Sequence, residues 1–181
     1  MRMKDRICED KSKIEQLLSS AETGFLGLAQ NNEPYVVPLN YVWLDGSIYF
    51  HGASEGKKID FIQNNPLATF VISRFEGTMV SPIPAHTDSA YLSIMLFGKI
   101  QIVNDLKEAT TVMQALLDKY VAGYFSTPLA SQHVARYQSS LGSKTCICKL
   151  TPTDITAKEN MKLEDQLYYK GRNVITDTSV D

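Results

Sequence analysis

Short apolar runs dominate the chain, and turn-forming residues separate them. Alternation with a period of two predicts β-strands, as do short runs rich in β-branched and aromatic residues. The predicted strands are residues 23–29, 35–44, 47–51, 67–73, 89–103 and 144–157. Asp45-Gly46 favours a tight hairpin between the second and third strands. Because Pro38 cannot donate to a ladder, we expect its strand to lie at a sheet edge or to be bulged there.

Four other segments show a helical period: residues 11–21, 54–64, 106–121 and 130–139. Ser12 and Glu15 form a capping box for the first helix. Ser54 and Asp105 are suitable N-caps for the second and third. The helices do not alternate regularly with the strands, as they would around a parallel sheet. We therefore predict a mainly β (α+β) fold, an antiparallel barrel with helices packed around it.

The size and charge of the chain exclude several classes of protein. A length of 181 residues suits one domain, and a net charge of −2 provides no basic stripe for a nucleic acid. No apolar run approaches membrane-spanning length, and the charged N-terminal residues lack the apolar core of a signal peptide. We expect a cytoplasmic protein that binds neither nucleic acid nor membrane.

The cysteines and histidines do not predict a metal site. Cys8, Cys146 and Cys148 are too few for a disulfide framework. On a strand, Cys146 and Cys148 would point the same way, without a second pair to complete a zinc site. The three histidines share no metal-ligand spacing. We expect reduced thiols and no bound metal.

The segment from His51 to Ile62 combines features of a phosphate-binding site. A predicted strand ends there, and the small residues Gly52, Ala53 and Gly56 leave the backbone open to a ligand. A helix start then offers free N–H groups and the positive end of its dipole, beside Lys57 and Lys58. The alternative interpretation is a capped surface helix with solvated lysines.

Helical spacing distinguishes the two lysines of this segment. At about 100° per residue, Ile59 and Ile62 set the buried face of the helix. Lys58 then flanks that face, whereas Lys57 points towards solvent. Phe61 lies opposite Ile59, where it could contact a partner or the C-terminal tail.

Residues 74–88 form a long predicted loop with Gly77, two prolines and His86. Loops of this length in a compact domain are often functional. We consider it a candidate lid, with an ordinary surface loop as the alternative.

The order and spacing of several short motifs carry a family resemblance. The motifs are Pro34-Tyr35-Val36-Val37-Pro38-Leu39-Asn40-Tyr41, Asp45-Gly46 followed by Ile48-Tyr49-Phe50-His51, Gly56-x-Lys58-Ile59, Asn65-Pro66, Tyr91-x-Ser93 with Gly98, and Thr156-Ala157-Lys158. This set resembles the FMN-binding split β-barrel family related to pyridoxamine 5′-phosphate oxidase, in particular its 5-nitroimidazole resistance (Nim-type) flavoproteins. The resemblance covers roughly residues 2–160. Ala157 replaces the usual glycine of the last motif.

The resemblance implies a six-stranded antiparallel split β-barrel (Greek key) that forms a homodimer with FMN at the subunit interface. Residues 1–160 would form the barrel domain and 161–181 a tail extended over the domain or its partner. The phosphate would contact His51, Ala53, Gly56 and Lys58, and Gly52 would be a further cofactor-binding residue. The isoalloxazine ring would lie beside Pro38, Leu39, Asn40 and Tyr41, with Tyr91 and Ser93 near the ring or on the opposing subunit.

The resemblance also implies an FMN-dependent oxidoreductase that takes electrons from NAD(P)H or a partner reductase. Its small-molecule substrate would be an organic acceptor of the nitroaromatic class. His51 and His86 are the candidate catalytic residues, although phosphate binding suits His51 better. The alternatives are a flavin-binding protein without turnover, serving in storage, sensing or electron transfer, and a haem-binding split-barrel protein.

Overall fold

A computed structural model describes residues 4–138 and 142–178, which contain seven β-strands and five α-helices. The strands are β1 (Thr23–Gln30), β2 (Glu33–Asn40), β3 (Val42–Leu44), β4 (Ser47–Ala53), β5 (Leu67–Met79), β6 (Asp88–Ile102) and β7 (Thr145–Asn160). The helices are α1 (Lys11–Ser20), α2 (Lys57–Asn64), α3 (Leu106–Tyr120), α4 (Ser131–Val134) and α5 (Val174–Thr178). All strand pairs are antiparallel, in the order β2-β1-β5-β6-β7-β4-β3.

One bent strand supplies both edges of this sheet. Only Tyr41 separates β2, which pairs with β1, from β3, which pairs with β4. The sheet therefore curls into a barrel that is not closed, with a split between β2 and β4. The predicted mainly β, antiparallel split barrel with flanking helices is confirmed. The strands number seven rather than six because the bend divides the predicted strand 35–44.

Strand alternation determines which side chains fill the barrel. In β2, Tyr35, Val37 and Leu39 pack on the core, whereas Val36 and Pro38 are exposed. The other strands follow the same period of two. The largest side chains buried in the barrel are Tyr41, Phe50, Phe70, Leu26, Ile48, Ile72, Leu92, Ile94 and Leu96.

Helix α3 covers only one side of the barrel. Its apolar residues Val112, Met113 and Leu116 form a second buried cluster with residues of β3, β4 and β7. In the described part of the chain, no such buried cluster covers the outer surface of β1, β2, β5 and β6, which exposes apolar side chains. We call this surface the open face; its apolar members are Phe25, Val36, Val71, Phe75 and Met95.

Several local predictions are confirmed. Asp45 and Gly46 have φ angles of 48° and 70°, and they form the turn of the β3–β4 hairpin. Pro38 lies on the edge strand β2. The ladder between β6 and β7 shifts register at Gly98, and the Asp105 side chain accepts a hydrogen bond from Glu108 N at 2.7 Å.

Other local predictions were wrong. Two helices are capped by a residue other than the predicted one, and one side chain predicted to be available to a partner is buried. Asp10, not Ser12, caps α1 by accepting from the Ser12 and Lys13 amides. Helix α2 begins at Lys57 rather than Ser54, and its N-cap is Gly56, whose φ of 99° suits glycine. Phe61 is buried against the Tyr35 ring, at 5.4 Å between centroids, and is not free for a partner.

The predicted loop 74–88 is much shorter in the structure. Strand β5 continues to Met79 through a register shift between Phe75 and Gly77, which leaves residues 80–87 as the connection. The tail holds both ends of this region, since Val80 N donates to Gln166 O and Tyr168 N donates to Thr78 O. The length argument for a lid therefore does not apply to residues 74–79.

The tail folds against its own protomer over the described residues 161–178. Arg172 organises it by donating to both Asp177 carboxylate oxygens, at 3.0 and 2.9 Å, and to the carbonyls of Asp165 and Leu167. Predicted residues 179–181 of the tail, like residue 139 of the predicted fourth helix, lie outside the described residues. Among the described helices, none is long and apolar enough to cross a membrane.

The bend at Tyr41 is held by the end of α3. The Tyr120 hydroxyl accepts from Tyr41 N at 2.9 Å and lies within donating distance of the carbonyls of Glu22 and Tyr41. Lys119 Nζ also donates to Tyr41 O, at 3.1 Å. The polar backbone groups that leave the ladder at the bend thus find side-chain partners.

We predict that Tyr120→Phe lowers the free energy of unfolding by about 1–3 kcal/mol, because it removes the acceptor of a buried backbone amide. The exposed Tyr124 provides the matched control, and Tyr124→Phe should change stability by less than about 0.5 kcal/mol. Urea unfolding measures both. Equal stabilities of the two variants would contradict a role of the Tyr120 hydroxyl in holding the bend.

Candidate functional site

The turn between β4 and α2 places a cation over bare backbone. A Cβ atom built on Gly52 would lie 2.5 Å from Lys58 Nζ, so the absence of a side chain makes room for the ammonium. Lys58 Nζ also lies 5.6 Å from the centroid of the Phe50 ring. No Asp or Glu of residues 4–138 and 142–178 forms an ion pair with Lys58. We call this turn, residues 51–58, the cradle.

Lys57 points away from the cradle. Its ammonium pairs with Glu33 Oε1 at 2.5 Å and lies 5.5 Å from the centroids of the Tyr35 and Phe61 rings. The helix-face prediction for the two lysines is confirmed by these contacts. Only Lys58 is directed towards Gly52.

Within the cradle, the His51 side chain lies on the opposite face of β4 from Lys58. Its register partner is Ile147, which belongs to the cluster under α3, and its own side chain is exposed. Desolvation by the surrounding atoms and the charge of Lys58 lower the pKa of His51. Near neutral pH the ring is therefore uncharged and can donate or accept a hydrogen bond.

Two thiols face the cradle from β7. Cys146 is the register partner of Gly52, and Cys148 is that of Phe50, so both thiols lie on the inner face with Lys58. A hydrogen bond with the Cys148 thiol and the charge of Lys58 lower the pKa of Cys146 to about 7, against the effect of burial. The same contact, with burial, raises the pKa of Cys148.

The predicted ring segment lies beside the cradle across the split. Pro38 and Asn40 pair with β1 and not with β4, but Lys57 at the start of α2 contacts Glu33 and Tyr35 of the same strand. Pro38 and Asn40 are exposed there, whereas Leu39 packs on the core. Strand β2, which carries the Pro38–Asn40 segment, therefore lies beside the helix that begins at the predicted phosphate site.

Tyr41 does not fit its predicted role as a ring contact. Its side chain is fully buried, with its hydroxyl donating to Leu18 O at 2.7 Å. Its backbone amide and carbonyl are bound by Tyr120 and Lys119. The residue fixes the bend and has no group left for a ligand.

Tyr91, Ser93 and His86 lie at the far end of β6 from the cradle. Ser93 is nine residues from Ile102, which pairs with Cys148, a separation of roughly 30 Å along the strand. His86 precedes the first residue of β6 and is exposed in a single 3-10 turn. Within one protomer these residues do not join the cradle. Tyr91 and Ser93 lie on the open face, where Lys158 is the register partner of Ser93.

Cys146 was not among the site residues predicted from the sequence. The available signal was the two-residue spacing of Cys146 and Cys148, which puts both thiols on one face. Which face, and beside which residues, depends on the pairing of β4 with β7, which no local pattern specifies. Across the described ranges, no group of three or more His, Cys, Asp or Glu residues is arranged to hold a metal.

The chain is similar to known proteins in sequence and in fold. The family described as pyridoxamine 5′-phosphate oxidase matches residues 10–159. No curated protein matches the sequence.

Three solved structures illustrate the likeness in fold. The flavocytochrome Anf3 from Azotobacter vinelandii is 16% identical, with a TM-score of 0.74 over 92% of this chain and 76% of that one. A candidate 5-nitroimidazole antibiotic resistance protein from Bacteroides thetaiotaomicron is 24% identical, with a TM-score of 0.65 over 84% and 85% of the two chains. A FAD- and haem-binding protein from Mycobacterium smegmatis is 14% identical, with a TM-score of 0.71 over 97% and 81%. At these identities the likeness establishes the fold alone.

We predict that Lys58→Ala weakens binding of FMN about ten- to hundredfold, the loss expected for one charge-assisted hydrogen bond to a phosphate. Lys57→Ala is the matched control and should change the dissociation constant less than about twofold, since Lys57 already pairs with Glu33 at the surface. Quenching of flavin fluorescence measures both constants. Equal losses, or a larger loss for Lys57→Ala, would overturn the assignment of Lys58.

Proposed function

The chain belongs to the pyridoxamine 5′-phosphate oxidase family, and from that premise we propose that it binds a flavin through the cradle. The observation that carries the proposal is the position of Lys58 over Gly52. A cation without a carboxylate partner, held where a Cβ would otherwise lie, suits a phosphate group. The uncharged ring of His51, the residue before Gly52 on β4, offers a further hydrogen bond.

We propose FMN as the flavin. The cradle contributes one inward-facing lysine, which suits a single terminal phosphate. Two structurally similar proteins, from Mycobacterium smegmatis and Mesorhizobium loti, are FAD-binding proteins. Titration with FMN and with FAD therefore tests the choice, and tighter binding of FAD would replace FMN in this proposal.

We propose that two copies of the chain complete the site. The cradle and the Pro38–Asn40 segment lie together, whereas Tyr91 and Ser93 lie at the other end of β6. The open face that carries them exposes Phe25 at 48%, Val36 at 64% and Phe75 at 66%. An exposed apolar surface of this kind is typical of a protein interface. A homodimer through the open face would cover it and bring residues of the second copy towards the flavin.

The proposed reaction is the reduction of a small organic acceptor of the nitroaromatic class. The flavin supplies the redox chemistry when bound, and the protein binds and orients it. NAD(P)H or a partner reductase would provide the electrons. In the proposed dimer, His51 of one copy contacts the phosphate. His86 of the second copy borders the space that the substrate would occupy. A protein that binds flavin without turnover is the alternative that the experiments below separate.

We predict that the protein is a dimer and that Phe25→Glu makes it monomeric, because Phe25 lies centrally on the open face between Pro38 and Val71. Leu106→Glu is the matched control, with 41% of the residue exposed at the start of α3, on the covered side of the barrel. Light scattering measures both. A wild-type monomer that carries flavin at micromolar concentration would refute the dimer.

We predict that NAD(P)H or a partner reductase bleaches the flavin absorbance under anaerobic conditions, and that a nitroaromatic compound restores it faster than buffer does. His86→Ala should slow the second step several-fold, whereas His133→Ala, at an exposed histidine of α4, should not.

Absorbance that stays oxidised with every donor would favour flavin binding without turnover. Recovery at the same rate with and without the nitro compound would contradict the proposed acceptor. Bands characteristic of haem in the purified protein would support the haem-binding alternative instead.

A further inference from the structure

The inner face of the cradle holds a thiol that the proposed function does not use. We propose that Cys146 is a modification site, oxidised by hydrogen peroxide to a sulfenic acid, and that this reaction competes with phosphate binding at Lys58. The oxidation is independent of flavin chemistry, whereas the competition rests on the proposed function.

The geometry places the Cys146 thiol close to the Lys58 ammonium. Gly52 and Cys146 are register partners, whose Cβ positions on one face are about 4.5–5.5 Å apart. Because Lys58 Nζ lies 2.5 Å from the Cβ position of Gly52, it lies within about 8 Å of the Cys146 Cβ. The thiol also donates to Ala53 O at 3.3 Å, which places the sulfur at the end of β4.

The three cysteines differ in their access to a small oxidant. Cys8 is 7% exposed and Cys148 is fully buried in the barrel core, whereas Cys146 is only partly buried. Cys146 is therefore the cysteine most open to a small oxidant such as hydrogen peroxide.

The electrostatic surroundings favour the reactive form of this thiol. With its pKa lowered to about 7, roughly half of Cys146 is ionised at neutral pH, compared with a few per cent for an ordinary cysteine. The thiolate attacks one peroxide oxygen, so that an S–O bond forms and the O–O bond breaks. Sulfur loses two electrons, the peroxide is reduced, and the departing hydroxide takes a proton to become water.

The reaction and phosphate binding should exclude each other at the cradle. A phosphate on Lys58 would place negative charge beside the thiolate and shield the sulfur from the oxidant. A sulfenic acid on Cys146 would in turn add an oxygen beside Gly52, in the space that the ammonium occupies. Flavin-free protein should therefore be oxidised faster than protein loaded with FMN.

The test uses the full chain, freed of flavin and reduced, then treated with hydrogen peroxide at pH 7 in the presence of dimedone. Peptide mass spectrometry follows the adduct on each cysteine. We expect adduct formation at Cys146 about tenfold faster than at Cys8, because Cys146 is less buried and lies beside the Lys58 ammonium. Cys146→Ser should remove this adduct, and Cys8→Ser should leave it unchanged.

Two lysine variants test the electrostatic argument. Lys58→Gln should slow the reaction at Cys146 roughly threefold, because it removes the cation that favours the thiolate. Lys57→Gln is the matched control and should leave the rate unchanged. Saturating FMN, or inorganic phosphate, should slow the wild-type reaction several-fold.

The outcomes separate this proposal from the proposed function. If Cys146 reacts no faster than Cys8 while FMN binds with its dependence on Lys58, the thiol site is overturned and the flavin site stands. If Cys146 reacts with its dependence on Lys58 but FMN does not bind, the thiol site stands and the flavin proposal fails. If FMN binds through Lys58 without slowing the reaction, the competition is overturned.

Discussion

The barrel depends on one strand serving two ladders. Residues 33–44 pair with β1 before Tyr41 and with β4 after it, so the backbone at the bend has no neighbouring strand to satisfy it. The Tyr120 hydroxyl and the Lys119 ammonium supply the missing partners. Because both residues end α3, this helix must lie on the outer surface of β3, β4 and β7. The opposite outer surface is left as the open face. The position of α3 that satisfies the bend therefore covers one side of the barrel and leaves the other exposed.

The same bend creates the cradle. On the N-terminal side of Tyr41, β2 pairs with β1 and diverges from β4. Helix α2 packs against β2 at this split, where the Phe61 ring contacts the Tyr35 ring. A helix that starts there directs one flanking side chain inwards. That inward position is available to Lys58 because Gly52 has no side chain, and the Phe50 ring supports the ammonium from below. Glycine at position 52 and lysine at position 58 therefore place an ammonium group at the end of the barrel.

The features that depend on neighbouring residues were predictable from the sequence. Alternation gave the strands, the 100° helical angle separated Lys57 from Lys58, and Asp45-Gly46 gave its hairpin. The features that depend on the pairing of distant strands were not predictable from the sequence. Residues 74–79 contain charges and a glycine that indicate a loop, but the long partner β6 draws them into β5. Tyr41 matches a family motif, but its side chain is buried and its backbone groups are hydrogen-bonded at the bend. Cys146 becomes a candidate site residue only because the β4–β7 register sets it opposite Gly52.

Lys58 contributes to the protonation of two neighbours. Desolvation, and after it the charge of Lys58, lowers the pKa of His51 on one face of β4. A hydrogen bond with Cys148, and after it the charge of Lys58, lowers the pKa of Cys146 on the other face. An anion bound to Lys58 would oppose both effects, so the pKa of each neighbour should rise on binding. By linkage, the anion must then bind more tightly as either neighbour gains a proton. Below the pKa of Cys146, near 7, the neutral thiol no longer repels a phosphate. Above it the thiolate competes for the same ammonium. If the cradle binds a phosphate as proposed, its affinity should fall as the pH rises through the pKa of Cys146, and the residue responsible lies on β7 rather than in the turn itself.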